Sequence, residues 1–285
     1  MHRYTKRTLA LEVFTILVIL AGLTPFWILV MTSLKSGADV LTTPAFQPPQ
    51  HPTLENFRTL LSPQGDASSA IISGLKNSAI ITTGSILGLV CLGSVTAYAL
   101  VRGKSRWTTR SYFLFLVAII LPTQLGVLPL YVEARNLQLV GSRIGMIIIY
   151  TGVLLPLAVF LYAGFFRTLA PEYEEAATID GASRVQIFLR VVFPLMSPAT
   201  GTVAILAGLI VWNDFFTPLI FLNGSDSQTL PVVMYNYVGA LVSQWNLIFA
   251  IVLISMVPIL AFYVVAQKKF IQGFSGGLKL SLIHI

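Results

Sequence analysis

Charge is scarce in this sequence. Only 10% of its 285 residues are Asp, Glu, Lys or Arg, where a soluble domain carries about a quarter. A surface so poor in charge is not expected to face water throughout, and the mean hydropathy of +0.82 points the same way. Lipid is the expected solvent for much of the chain. Cysteine is nearly absent: the one thiol, Cys91, lies in an apolar stretch, which excludes an intrachain disulfide and leaves it no polar neighbour for reactivity. The three histidines, His2, His51 and His284, all fall outside the apolar segments, so no buried metal site or histidine proton relay is expected. The net charge of +7 does not imply nucleic acid. The Lys and Arg residues lie in short runs between apolar segments, with no basic face interleaved with aromatics.

What the chain has in abundance is long apolar runs. Six of them, at 9–31, 78–101, 111–130, 144–166, 198–222 and 247–266, each approach the ~20 residues needed to cross a hydrocarbon core as a helix. The expected fold is an all-α membrane protein with six transmembrane helices in one domain, 1–279. The first run is too long for a cleaved signal and offers no small-residue cleavage site after Met31, so it is expected to stay as the first helix. Residues 280–285 read as a non-native tail, the translation of a transposase sequencing adapter, which would put the native end near Lys279.

Six spans put both termini on one side. If that side is the cytoplasm, it holds 13 of the 18 basic residues, among them Arg102, Lys104, Arg106, Arg110, Arg167, Arg184 and Arg190. The other side keeps Lys35, Arg58, Lys76, Arg135 and Arg143. Positive charge accumulates in cytoplasmic loops, so both termini are expected inside. The Pro-rich stretch 32–77 is expected outside, as an irregular cap.

The connection 167–197 is the most polar stretch and the most helix-like outside the spans. Pro171 suits a first helical turn, and Glu172, Glu174 and Glu175 complement the positive end of a helix dipole. Gly181 suits the break that follows, Ser183 can cap a second helix, and Pro194 is expected to end it. Tyr173, Ala176, Ala177 and Asp180 are spaced to share one helix face, and the two alanines would leave it shallow enough for another protein to approach closely. The same face could instead pack beneath its own bundle.

Inside the spans, Asp214 is the one acidic residue well within the last four apolar runs. It is expected either to line a pathway with Asn213 or to fix helix packing through a hydrogen bond. Gln124, flanked by Pro122 and Pro129, marks a broken helix that could line a cavity, or a simple proline kink. Gly84 and Gly88 form a GxxxG that reads as close helix packing. Two enzyme-like strings fail on context. Gly273-Phe274-Ser275-Gly276-Gly277 has no preceding strand, and Gly103-Lys104-Ser105 has Tyr98 where a phosphate-binding loop needs glycine. No catalytic residue is expected, and this chain should not itself hydrolyse ATP.

Glu175-Ala176-Ala177, then three residues, Gly181, nine residues and Val191-Val192-Phe193-Pro194 resemble the EAA loop of ABC import permeases. Val191 and Phe193 stand where that pattern has Ile and Leu. Asn77-Ser78, Leu121-Pro122, Trp212-Asn213-Asp214, Thr229-Leu230-Pro231 and 273–279 extend the resemblance to the carbohydrate-uptake branch, close to its maltose-type second permease. The resemblance implies the type I ABC importer permease fold in the bacterial cytoplasmic membrane. It implies an EAA helix, carrying Tyr173, Glu175, Ala176, Ala177, Asp180, Gly181 and Pro194, that docks on a cytoplasmic ATPase. It further implies two ATPase subunits holding ATP and Mg, a homologous second permease in a heterodimer, and an extracytoplasmic substrate-binding protein. The cargo would be a sugar or oligosaccharide, or alternatively a polyol or glycerol phosphodiester. An ion-coupled secondary transporter is the competing class, for which only Asp214 offers a coupling residue and no clear repeat is present.

Overall fold

The computed structural model describes residues 6–62, 66–238 and 244–278, with side chains described over 7–62, 68–238 and 244–264. Residues 280–285, read above as a tail, lie outside the described residues. Among the described residues the ordered elements are all helical. In chain order they are α1 (Lys6–Ser33), α2 (Gly37–Thr42), α3 (Glu55–Leu61), α4 (Asp66–Arg102), α5 (Arg106–Ile120), α6 (Val127–Asn136), α7 (Arg143–Phe166) and α8 (Glu172–Ile179). They continue with α9 (Arg184–Ile187), α10 (Phe193–Leu195), α11 (Ser197–Asn213), α12 (Phe216–Phe221), α13 (Leu230–Tyr235) and α14 (Trp245–Leu278). Helices within α1, α4, α7 and α14 are each long and apolar enough to cross a membrane, and two bent pairs bring the number of spans to six when each pair counts as one.

The two bends have local causes. Between α5 and the segment 123–136 the axis turns by 95°. Leu121 precedes Pro122 and is held extended, at φ −70° and ψ 127°, because the proline ring disfavours a helical residue before it. The 111–130 run is therefore a helix, a break and a second helix rather than one kinked rod. The second bend, 72°, lies at Met196, between 184–195 and α11. Pro194 does not end its helix as expected. A wide π turn at Phe188–Val192 precedes it, and helix resumes through Leu195. The π turn sends the Phe193 N–H to the Phe188 carbonyl, a register shift that spares the helix the usual clash of a proline ring with the carbonyl four residues back.

Other boundaries also differ from the apolar runs. α4 starts at Asp66 rather than near 78, so a polar lead-in is helical too. α11 stops at Asn213 although the apolar run continues to 222, because Asp214 turns extended (ψ 124°) and α12 begins afresh at Phe216.

By its internal contacts the chain divides into two compact units. The first comprises residues 1–72 and 233–257. Its α1 is apolar yet exposed along nearly its whole length, with the Thr15 and Thr24 hydroxyls turned back on its own backbone (to the Leu11 carbonyl, 2.7 Å, and the Leu20 carbonyl, 3.1 Å). Such internal satisfaction is what a hydrocarbon environment requires. The Pro-rich stretch after α1 is tied down. Buried Lys35 donates to Thr43 Oγ1 (2.8 Å) and the Pro44 carbonyl (2.7 Å). Buried Asn56 donates to the Ser33 and Lys35 carbonyls and accepts from Asn246 at 2.7 Å. Within the stretch expected to be an irregular cap, two short helices form on either side of the irregular segment 43–54, pinned by buried polar groups.

The second unit comprises residues 73–232 and 258–285, and both large apolar clusters lie in it. α4 crosses α7 on a smooth face. A Cβ added at Gly84 would lie 2.5 Å from Ile147, and one at Gly88 2.6 Å from Thr151 Oγ1. Only the missing side chains allow this approach, as expected of a GxxxG surface. Farther along, Tyr162, Phe166 and Ala158 of α7 pack with Leu89 and Ala97 of α4 and Val203 and Ala207 of α11. The Tyr162 hydroxyl reaches Thr200 Oγ1 at 3.0 Å.

Candidate functional sites: the loop after α7 and a polar cavity

The loop after α7 folds as its residues dictate. Pro171 precedes the first turn of α8, with Glu172, Glu174 and Glu175 at the positive end of its dipole. The C-terminus closes with a Schellman pair: Ala182 N–H to the Ala177 carbonyl and Gly181 N–H to the Thr178 carbonyl, each 3.0 Å. Gly181 sits at φ +80°, the left-handed region that suits glycine. Ser183 then opens α9 with a capping box. Its Oγ accepts from Gln186 N, and its own N–H donates to Gln186 Oε1 at 2.8 Å.

α8 has two faces. Glu174 and Ala177 turn inward: Ala177 packs against the larger apolar cluster, and Glu174 accepts from Arg102 Nε (2.7 Å) and the Tyr98 hydroxyl (2.8 Å). Tyr173, Glu175, Ala176 and Asp180 are exposed, as are Gly181 and Pro194. The sequence grouping of Tyr173, Ala176, Ala177 and Asp180 on one face therefore divides, with Ala177 on the packed side. Apolar Ile179, 87% exposed, joins the outer face, and Val185 and Leu189 are exposed on the helix that follows. The spacing marked α8 as amphipathic but did not reveal which carboxylate turns inward. That depends on Arg102 and Tyr98, which stand more than seventy residues away in the chain.

The second candidate site is a cavity of about 340 Å³ within the second unit. It brings Gln124 together with Asn213 and Asp214, the three residues singled out from sequence, and adds Tyr150, Thr123 and Thr217. The proline break after α5 is what aims Gln124 there. Both Asp214 oxygens are engaged. Oδ2 accepts from the Tyr150 hydroxyl at 2.9 Å, and Oδ1 accepts from Thr217 N–H at 3.3 Å. Asp214 thus lines the cavity and is also tied by hydrogen bonds into the packing around it. Its place is the break after α11 rather than the interior of a longer helix. Asn213 is exposed and donates to the Leu209 carbonyl at 2.8 Å. The neighbouring Trp212 points elsewhere, into a small apolar cleft with Ala79, Ile86, Gly208 and Phe262. Tyr150 went unnoticed in the sequence: one tyrosine in an apolar helix carries no signal of its partner.

The enzyme-like strings gain nothing from the fold. The backbone of 273–277 lies within α14, and Ser105 is used as the N-cap of α5, accepting from Trp107 N–H. Among the described residues no group of His, Cys, Asp or Glu is placed to hold a metal ion.

Two further tertiary ties join sequence features. Asn77 Nδ2 donates to the Asp226 and Gln228 carbonyls, both 2.9 Å, and Ser78 Oγ accepts from Leu230 N–H at 2.9 Å. Asn77-Ser78 at the head of the second apolar run and Thr229-Leu230-Pro231 therefore meet in space.

Residues 89–275 match the family described as binding-protein-dependent transport system inner membrane component. Among curated relatives, the melibiose/raffinose/stachyose import permease protein MelC of Bacillus subtilis is 34% identical over 95% of this chain and 97% of its own length. The multiple sugar-binding transport system permease protein MsmG of Streptococcus mutans is 32% identical over 90% of this chain and 91% of its own. Among solved structures, a chain from the crystal structure of a bacterial ABC transporter involved in the import of the acidic polysaccharide alginate superposes with a TM-score of 0.80. That match covers 95% of this chain and 100% of the other, at 22% identity, and it speaks for the fold. On these matches, this multi-pass membrane protein belongs to the family of inner-membrane components of binding-protein-dependent transport systems.

Proposed function

We propose that this chain is the membrane-spanning permease of an ATP-driven importer for a sugar or oligosaccharide, with both termini and the loop 167–197 in the cytoplasm. The observation that carries the mechanism is the two-faced α8. Its inner side is locked to the bundle by Glu174 and Ala177, while Tyr173, Ala176, Ile179 and Asp180 stand exposed. An exposed apolar and small-residue surface at the aqueous end of a bundle favours a protein partner. The partner proposed is a cytoplasmic ATPase, two copies per complex, which holds ATP and Mg. This chain binds neither.

A second, homologous permease beside this one, in a heterodimer, is the proposed arrangement. An extracytoplasmic binding protein would deliver the cargo. Gln124, Asn213 and Asp214 are the proposed cargo contacts. The cavity they line carries a carboxylate and polar side chains and, among its lining residues, no Lys or Arg. Such a lining favours a neutral polyhydroxy cargo over a phosphodiester, whose charge would call for a basic partner. The names of the relatives, which carry melibiose, raffinose, stachyose or multiple sugars, support the same class.

The test is co-purification. A tagged chain extracted in mild detergent should bring down an ATPase and a second permease. In proteoliposomes the complex should hydrolyse ATP faster when sugar-loaded binding protein is present. Isolation of a lone chain that moves sugar down an ion gradient would refute the proposal.

A further inference from the structure

Four elements meet at one end of α4. Tyr98 and Arg102 stand one helical turn apart on the same face. The Tyr98 hydroxyl donates to Glu174 Oε2 at 2.8 Å, and its ring packs between Phe166 at the end of α7 (centroids 5.6 Å apart) and Phe188 after α9 (5.2 Å). Arg102 Nε donates to Glu174 Oε1 at 2.7 Å, and Nη2 donates to the Leu169 carbonyl at 2.9 Å. Both carboxylate oxygens of Glu174 are thus held by α4, and the ion pair is sheltered, with side-chain exposures of 25% and 16%. Farther back along the same helix, about three turns inside its start, Asn77 and Ser78 hold the backbone of the segment Asp226 to Leu230 that leads into α13. From Asn77 to Arg102 the helix is unbroken and spans about 38 Å at ~1.5 Å per residue.

We infer that Glu174, Arg102 and Tyr98 form a positioning cluster that binds the loop helix α8 to α4, so that a displacement of α8 is delivered along α4 to the segment that Asn77 and Ser78 hold. The coupling role rests on the proposed docking of an ATPase; the anchoring does not. Covalent connection alone would pass motion of the loop to α7 and α11, its chain neighbours. The cluster adds α4, a helix more than seventy residues away in sequence. It also separates the roles of adjacent carboxylates: Glu174 anchors inward, and Glu175 faces out.

The experiment uses the assembled importer in proteoliposomes with Arg102→Glu, Glu174→Arg and the double exchange, alongside the milder Glu174→Gln and Tyr98→Phe. A nitroxide on Ile179→Cys, with Cys91→Ser, reports the mobility of α8 with or without an ATPase present. The second reading is cargo moved per ATP hydrolysed. Each charge reversal should raise the label's mobility and lower cargo per ATP about tenfold, the two milder variants should do so by less, and the double exchange should restore the ratio to within about threefold, as for directly coupled neighbours. Unchanged mobility in every single variant overturns the anchor. Raised mobility with an unchanged ratio of cargo to ATP, even if both rates fall, overturns the coupling role. A wild-type chain that retains no ATPase overturns the docking proposal and with it the coupling role, while the label still decides the anchor.

Discussion

At the scale of single residues, Asp214 concentrates the most consequences. Asp214→Ala removes the acceptor of the Tyr150 hydroxyl and the cap of Thr217 N–H together. Leaving a buried donor unpaired costs about 1–3 kcal/mol, so the variant should show a lower thermal midpoint in detergent as well as weakened uptake. Asp214→Asn keeps one acceptor, for Thr217 N–H, while its amide N–H can donate to the Tyr150 oxygen in turn, so it should lose less stability than Asp214→Ala. Tyr150→Phe removes one hydrogen bond, about 1 kcal/mol, and should be milder than Asp214→Ala in the same melting assay. Equal stability of all three variants would show that the Asp214 contacts do not hold this break together. Asp214 was legible in the sequence because an acid in an apolar run is costly. Its partner was not, since nothing distinguishes Tyr150 from the other aromatics of α7 before the helices are packed. Ala177 was misread for a related reason: helical spacing places residues on a face but does not say where that face ends.

At the scale of elements, the stretch from Pro171 to Ser183 was legible because its punctuation is local, with proline at the start, glycine at the break and Ser183 as the cap of the next helix, whereas the π turn before Pro194 was not. The Gly181 conformation can be tested directly. A Cβ there would meet nothing within 4 Å, so the obstacle to substitution is the φ of +80° and not space. Gly181→Val should therefore impair uptake strongly, and Gly181→Asn, which tolerates left-handed backbone, much less. Equal impairment by both would point to a contact instead. Gly88→Val is the contrasting case, where the obstacle is Thr151. Overpacking costs about 1–3 kcal/mol, and the melting temperature should fall without any need for the ATPase. The span boundaries were less legible. The apolar run past Asn213 continues to 222 although the helix breaks at Asp214, and hydropathy cannot register a break whose two sides are both apolar.

At the scale of the whole molecule, the helical architecture with up to six spans followed from the apolar runs, whereas the division into two units did not, since it depends on which distant segments pair. The proposed topology is testable on a chain with Cys91 replaced by Ser. An impermeant thiol reagent applied outside should label Ser62→Cys and miss Thr178→Cys, both positions being exposed. The reverse pattern would invert the orientation and put the loop after α7 beyond reach of a cytoplasmic ATPase. The most direct test of the central claim is Ala176→Asp. Ala176 is exposed on the outer face of α8, so the chain should fold and melt as the wild type does. At a docked interface the new carboxylate would be buried without a partner, a cost of several kcal/mol that weakens binding by orders of magnitude. The measurement is ATPase retention on purification together with sugar-stimulated ATP hydrolysis in proteoliposomes. The expected result is a folded permease that has lost both; full retention with undiminished stimulation would contradict the claim that this face is where ATP hydrolysis meets transport.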